Sequence, residues 1–179
     1  MDNNSKYKFN IDDARDTLER IHTSINNCDT KTSIILGIIG VIGGICLSDS
    51  IVITLYHYLI NNFSTTKCKV FFVITCMIIV GIVFGVYKLI SVLYARVKKD
   101  GDRSNVFFGD IAKYNNEGDY KKSLLKMNES DMLDSLISQI YINSKICDAK
   151  YQRYNQGIIT VGISLALLFV DIILFLIVR

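Results

Sequence analysis

The chain has 179 residues, of which 50% are hydrophobic, and its mean hydropathy is +0.32. Its formal net charge is only +3, with acidic residues interleaved among basic ones, which disfavours general nucleic-acid binding. The hydrophobic residues are concentrated in three blocks, 33–47, 70–87 and 158–178, and a soluble domain of this size would keep little polar surface to cover them. The composition therefore predicts an all-α integral membrane protein with three transmembrane helices.

Four segments follow from these blocks and from the polar stretches between them. They are a cytosolic amphipathic helix at 1–31, a transmembrane hairpin at 32–97 with spans at about 32–48 and 70–95, a cytosolic helical region at 98–155, and a C-terminal transmembrane helix at 156–179. Lys and Arg are more frequent in the first and third segments than between spans one and two, which places those two segments in the cytoplasm. We therefore expect a multi-pass protein with a cytoplasmic N-terminus.

The first helix is predicted to begin after Asn10, whose side chain can cap a first turn that contains Asp12 and Asp13. Apolar residues then recur at alternating spacings of three and four, and this seam continues from the amphipathic stretch into the first span. The chain contains no proline that would interrupt it. We therefore expect one helix that runs from the cytosol into the membrane.

The first two spans each contain a GxxxG motif, formed by Gly40 with Gly44 and by Gly81 with Gly85. Lipid gives helices no hydrophobic reason to associate, so small residues that permit close backbone approach are typical of helix contacts in membranes. The two motifs predict a close antiparallel hairpin of spans one and two, with the glycines packed against each other. A close contact between subunits of an oligomer is the alternative.

Asp29 and Lys31 lie where the first helix enters the membrane. Antiparallel pairing of the first two spans would bring Asp29 level with Lys88, and we predict an ion pair between them. The alternative is that Lys88 extends to the lipid headgroups. We assign these three residues, together with the glycines, to packing and to a membrane switch.

Two stretches outside the spans carry further predictions. The loop at 51–63 is predicted to form an amphipathic turn of helix at the outer interface. Phe107 and Phe108 form a hydrophobic island in an irregular cytosolic region, and they either pack into the helical bundle or provide a platform for base stacking. Helical propensity returns at 119–127, where three basic residues lie near one face: Lys121, Lys122 and Lys126.

The last helix is predicted to begin at Ser130 as N-cap, and a second heptad seam then leads into span three. Asp171 interrupts the apolar run of that span. An acid inside a membrane is costly and marks either a functional site or a paired group. Three roles are open for it: lining a pore or an oligomer interface, a polar contact with another span, or an interfacial position of a shifted span.

Catalytic chemistry is not indicated by this sequence. It shows no Walker-type loop, Rossmann fingerprint, HExxH motif or nucleophile elbow. The five cysteines form no CxxC pair, and the two histidines lie on opposite sides of the predicted membrane. We therefore predict no metal site, no cofactor and no enzymatic activity.

Three motifs resemble the Pycsar effector transmembrane family (PycTM). They are DTKTSIILGIIG at 29–40 at the start of span one, FFGDIA at 107–112 after span two, and ICDAKYQRYN at 146–155 before the last span. The similarity covers about residues 12–178. Thr32 departs from the family, which often has alanine there. The positions that match the family's characteristic residues are Asp29, Lys31, Phe107, Phe108, Gly109, Ile111 and Ala112.

The resemblance implies a bacterial anti-phage effector of the inner (plasma) membrane. In that family a nucleotide cyclase makes a cyclic nucleotide during infection, and the effector responds by impairing the membrane. We therefore expect a homo-oligomer whose partners are the lipid bilayer and a cyclic nucleotide or its cyclase system. The candidate ligand contacts are Phe107, Phe108, Lys121, Lys122 and Lys126. A non-conducting membrane adaptor and a ligand-independent holin-like pore are the alternatives.

Overall fold

The structure is a computed structural model that describes residues 8–62, 65–94 and 108–178, and all regular elements in these ranges are α-helices. The helices are α1 (Ile11–Cys46), α2 (Asp49–Asn62), α3 (Thr66–Leu93), α4 (Phe108–Ile111), α5 (Glu117–Leu124) and α6 (Glu129–Val178). Within the described ranges α1, α3 and α6 are long and apolar enough to cross a membrane. The predicted all-α membrane protein with three spans is thereby confirmed.

Helix α1 confirms both predictions made for its sequence. The backbone N–H of Asp13 donates to Asn10 Oδ1 at 2.9 Å, and the N–H of Asn10 donates to Asp13 Oδ2 at 3.0 Å. This reciprocal pair satisfies amides that have no partner within the helix. The helix then continues without a break for 36 residues. At 1.5 Å per residue that is about 54 Å, well beyond the hydrocarbon thickness of about 30 Å.

Helix α6 begins before the predicted position. Its cap is Asn128, because Asp131 N–H donates to Asn128 Oδ1 at 2.9 Å and Asn128 N–H donates to Asp131 Oδ2 at 3.1 Å. The prediction of Ser130 as N-cap is therefore wrong, since that residue already lies inside the helix. The helix continues for 50 residues, or about 75 Å.

Helix α2 occupies the segment between the first two spans, where a turn of amphipathic helix is predicted. The helix is confirmed, and its position at a membrane interface stays a prediction. Helix α5 begins with the same capping pattern as α1 and α6, since Asn116 Oδ1 accepts a hydrogen bond from Asp119 N–H at 2.9 Å.

The chain forms two compact units, and the division falls within α1 and within α6. The first unit is Met1–Asn27 with Arg96–Asp148, and the second is Cys28–Ala95 with Ala149–Arg179. The second unit contains all of α2 and α3 and the apolar parts of α1 and α6. Many of its large apolar side chains are exposed, as expected of surfaces that face lipid.

Helix α3 packs on α6 through glycines in the second unit. A Cβ atom on Gly85 would lie 2.6 Å from Val161 Cγ2 and 3.0 Å from Val161 N. A Cβ on Gly157 would lie 2.8 Å from Leu89 Cγ. The distances to Val161 Cγ2 and to Leu89 Cγ are too short for a methyl group, so the two helices approach each other at a separation that favours glycine at these points.

The predicted packing of Gly40 and Gly44 against Gly81 and Gly85 is wrong. Among the described residues, no atom outside the neighbouring turns of α1 lies within 4 Å of a Cβ placed on Gly40 or Gly44, whereas a Cβ on Gly81 would lie 2.5 Å from Ser164 Oγ of α6. The GxxxG motif of α3 therefore serves the contact with α6. The small residues of α6 at this contact, Gly157 and Ser164, are seven residues apart and form no GxxxG motif, so the sequence did not indicate α6 as the partner.

Candidate functional site

Asp29 of α1 forms an ion pair with Lys150 of α6 within the second unit. The distance from Lys150 Nζ to Asp29 Oδ1 is 2.5 Å. The lysine side chain is 6% exposed and the aspartate side chain 35% exposed. A buried ammonium needs such a counter-charge, because removing one partner of a buried pair leaves a charge that water cannot solvate. The pair therefore ties α1 to α6.

The predicted ion pair of Asp29 with Lys88 is wrong. Lys88 Nζ instead lies 5.4 Å from the ring centroid of Phe84, within the range of a cation–π contact. The prediction took the depth of the two residues from an antiparallel pairing of spans one and two. Helix α6 supplies the cation for Asp29, and this helix is not part of the predicted hairpin of spans one and two. Lys31, the other charged residue at this position of α1, is exposed.

Arg153 lies three residues after Lys150 on α6 and binds a different helix. Its Nη1 donates to the carbonyl oxygen of Ser91 at 3.0 Å. Ser91 lies in the last turn of α3, where carbonyl groups lack partners within the helix and carry the negative end of the helix dipole. A guanidinium is well placed to satisfy such a group. We call Lys150 and Arg153 the α6 clamp, since they hold α1 and α3 respectively.

A third polar contact links α3 and α6 inside the apolar region. Thr75 Oγ1 donates to Asp171 Oδ2 at 2.8 Å, and the Asp171 residue is only 6% exposed. Thr75 Oγ1 also lies 3.0 Å from the carbonyl oxygen of Phe71 on its own helix. Of the three roles open for Asp171, the structure shows a polar contact with another span.

Asp171 also lines a cavity of about 390 Å³ between α2, α3 and α6. Lys67 and Thr66, at the first turn of α3, line the same cavity, and so does Tyr58 of α2. The remainder of the wall is apolar. The second unit, which we call the membrane unit, thus contains a mainly apolar cavity. Its cation, Lys67, and its acid, Asp171, lie at different points along the helices.

The candidate ligand contacts lie in the first unit. Phe107 lies outside the described residues, and Phe108 begins α4, with its side chain outside them as well. The three lysines are exposed, and Lys122 Nζ lies 3.9 Å from Asp119 Oδ1. Two of the three, Lys121 and Lys122, lie in the last turn of α5. A ligand role for these residues stays a prediction.

The FFGDIA motif ends in a small folded element of the first unit. Asp110, in α4, is 3% exposed and pairs with Lys113, with 2.9 Å between Oδ1 and Nζ. Tyr114 then contacts α5, because its hydroxyl donates to Ser123 Oγ at 3.0 Å and its ring lies 5.4 Å from that of Tyr120. Tyr114, two residues after the motif, therefore contacts α5, the helix that contains Lys121 and Lys122.

Sequence reasoning missed Lys150, Arg153 and Thr75. The heptad seam of α6 includes Cys147 and Tyr154. Lys150 follows the first by three residues and precedes the second by four, so it lies beside this seam. A lysine on that face just before a span was the available signal. Thr75 carried no signal, because a threonine inside a span ordinarily bonds its own backbone.

Comparisons with known proteins agree with the motifs. The family model for the Pycsar effector protein domain, PycTM, matches residues 13–178. A curated relative, the Pycsar effector protein GmPycTM from Gulbenkiania mobilis, is 31% identical over 166 residues, which cover 82% of this chain and 83% of the relative. No solved structure is significantly similar to the chain.

Proposed function

This chain belongs to the Pycsar effector family, and we propose that it is the triggered membrane effector of a nucleotide-signalling anti-phage system. Membership of the family carries the proposal, since the match spans nearly the whole chain. It makes this an antiviral-defence protein with three candidate membrane spans. Beyond membership of the family, we propose three properties: a nucleotide trigger, an oligomer, and damage to the inner membrane. The proposal assigns the chain no catalytic step.

The proposed trigger acts on the first unit and reaches the membrane through α1 and α6. Each of these helices has one part in the first unit and another in the second, without a break. A ligand shifts such a protein between two arrangements only if it binds one of them more tightly. The α6 clamp lies just after the point where α6 passes into the second unit, and Asp29 lies just after the same point in α1. Loosening these contacts is the proposed switching step.

A cyclic nucleotide is the proposed ligand. Its phosphate would bind the basic residues Lys121, Lys122 and Lys126, whose exposed ammonium groups are available to an anion. Its base would stack on Phe107 or Phe108. The contact of Tyr114 with α5 supports this grouping, because it brings a residue six positions after Phe108 against the helix that contains Lys121 and Lys122.

Self-association through α1 is the proposed route to an oligomer. None of the described residues packs within 4 Å of a Cβ on Gly37, Gly40 or Gly44, and the α1 side chains Ile34 and Val41 beside them are 58% and 66% exposed. Small residues at this spacing permit close approach of two helices in lipid. We place the assembled protein in the inner membrane with its N-terminus in the cytoplasm, as the distribution of Lys and Arg favours.

Expression in a bacterial host tests the proposal against its two alternatives. Growth and membrane potential are followed with and without a supplied cyclic nucleotide. Arrest with depolarisation only in the presence of a cyclic nucleotide supports the triggered effector. Arrest without any nucleotide favours the holin-like pore, and absence of arrest under both conditions favours the non-conducting adaptor.

A further inference from the structure

The cavity between α2, α3 and α6 begins at the depth of lipid headgroups. Helix α3 has 28 residues and is therefore about 42 Å long, which exceeds the hydrocarbon thickness of about 30 Å. Lys67 is the second residue of this helix, so its ammonium group lies near the membrane–water interface whichever way the helix is oriented. Lipid phosphates occupy that interface.

The other end of the cavity lies inside the hydrocarbon. Thr75, which holds Asp171, is nine residues after the first residue of α3 and lies about 14 Å from it along the helix axis. Between the two ends the wall includes Val70, Ile74 and Leu174, which are 54%, 45% and 52% exposed. Half-exposed apolar side chains at this depth face lipid tails, because water is absent there.

Lys67 and the N-terminus of α3 form the mouth of the cavity. The first turn of α3 contains no acid, and its N-cap residue Thr65 makes no side-chain hydrogen bond to the turn. Lys67 therefore lies at the positive end of the helix dipole, where a cation is unfavourable and an anion is stabilised. A phosphate beside Lys67 and the Thr66 hydroxyl would complete this end of the cavity.

We propose that the cavity binds one phospholipid, with its phosphate at Lys67 and Thr66 and an acyl chain along Val70, Ile74 and Leu174. The volume of about 390 Å³ lies in the range of about 300–1,000 Å³ that is usual for ligand pockets. The acyl chain covers the buried Asp171 and keeps water from its contact with Thr75. This site is independent of the proposed nucleotide trigger, since all of its residues belong to the membrane unit.

Native mass spectrometry of the full chain, extracted into detergent with added phosphatidylglycerol, tests the site. The wild type is expected to retain one lipid per chain. Lys67→Met is expected to weaken retention about fivefold, since one basic residue near a membrane surface contributes about 1 kcal/mol. Lys69→Met is the control, because Lys69 is an exposed lysine on the same helix that does not line the cavity. Equal retention in the two variants would overturn the assignment of the phosphate.

A second pair of variants tests the acyl chain. Val70→Trp fills the cavity, whereas Val73→Trp adds the same bulk to a valine that is equally exposed, at 55%, and does not line it. Only Val70→Trp is expected to lose the lipid, with helix content unchanged by circular dichroism. Equal retention in both, no retained lipid in the wild type, or displacement of the lipid by inorganic phosphate alone would overturn the proposal. If Val70→Trp fails to fold, the lysine pair still decides.

Discussion

Lys150 places its ammonium group 2.5 Å from the carboxylate of Asp29, although its own side chain is only 6% exposed. The two partners are buried unequally, because the aspartate side chain is 35% exposed. Removing one partner therefore has a different consequence for the charge that remains. An unpaired Asp29 can be hydrated, whereas an unpaired Lys150 cannot.

This inequality predicts different effects of removing either partner. Asp29→Ala leaves a buried charge and is expected to destabilise the protein by up to about 3–5 kcal/mol. Lys150→Met replaces the ammonium with an apolar group of similar length and is expected to cost less. The double variant should be more stable than Asp29→Ala alone. Thermal unfolding in detergent measures this, with the exposed Glu19→Ala on α1 as control.

A result that contradicts the buried pair is easily recognised. It would be equal stability of Asp29→Ala and Glu19→Ala, or a double variant no more stable than Asp29→Ala. The same set measured with Lys88→Met distinguishes the observed pair from the one that the sequence predicted. Lys88→Met is expected to leave the effect of Asp29→Ala unchanged, since Lys88 lies over Phe84.

Arg153→Gln is predicted to loosen α3 at its C-terminal turn. The guanidinium hydrogen bond to Ser91 would be lost. The expected cost is about 1.5–2 kcal/mol, the lower part of the range for charged donors, because Arg153 is only half-buried. Lys145→Gln on the same helix is the control, since Lys145 is exposed and lies over its own helix's Tyr141. Faster hydrogen exchange confined to the end of α3 in Arg153→Gln would support the contact, and exchange equal to that of the control would contradict it.

The glycines of α1 and α3 are predicted to respond oppositely to alanine. Gly85→Ala places a methyl group against the side chain and backbone of Val161, and overpacking of this kind costs about 1–3 kcal/mol. In the part of the chain that the structure describes, a Cβ on Gly40 meets no other helix within 4 Å, so Gly40→Ala gains the helix propensity of alanine, about 1 kcal/mol. The thermal midpoint should fall for Gly85→Ala and hold or rise for Gly40→Ala. An equal fall of the thermal midpoint in both variants would contradict this and would favour packing of span one on span two.

Gly40→Leu separates folding from assembly. Gly40 is exposed and a Cβ there meets no described neighbour within 4 Å, so we expect the monomer to retain its stability. If α1 forms the contact between subunits, chemical cross-linking in membranes should fall several-fold. The exposed Val41→Leu, one residue along, is the control. Unchanged cross-linking of Gly40→Leu would remove α1 from the proposed oligomer contact.

Asp171→Asn is predicted to preserve activity, because an amide oxygen can still accept the hydrogen bond from Thr75. Asp171→Leu and Thr75→Val both remove that bond and should resemble each other. The expected loss of stability is small, about 0.6 kcal/mol, as for other hydrogen bonds between membrane helices. Activity is measured as depolarisation of cells that express each variant and receive the trigger. Loss of depolarisation in Asp171→Asn alone would favour a conducting role over a structural contact.

The sequence was sufficient to predict what depends on local pattern. The three spans, the unbroken α1 and its cap at Asn10 all follow from periodicity, hydropathy and the residues of one turn. The cap of α6 was also predictable, because Asn128 with Asp131 repeats the spacing of Asn10 with Asp13. Ser130 is also of a residue type that favours N-caps, but it lacks the Asn-x-x-Asp spacing that the caps of α1 and α6 share.

Contacts between helices distant in sequence were not predictable in the same way. A GxxxG motif indicates that something approaches closely, but Gly85 does not name its partner, which is Val161. The partner of Asp29 lies 121 residues away and is set by how α6 packs. Charge identified Asp29 on α1 and small size identified Gly81 and Gly85 on α3, but the tertiary arrangement decided what they contact.

The central claim, that a cyclic nucleotide triggers damage to the membrane, is tested most directly with the purified full chain in dye-loaded phosphatidylglycerol-containing liposomes. Cyclic nucleotides are added one at a time, and release of the dye is followed. The account predicts release by the wild type with one cyclic nucleotide, no release before its addition, and loss of the response in Lys121→Glu/Lys122→Glu. Release that begins without any nucleotide, or that no nucleotide elicits, would contradict it.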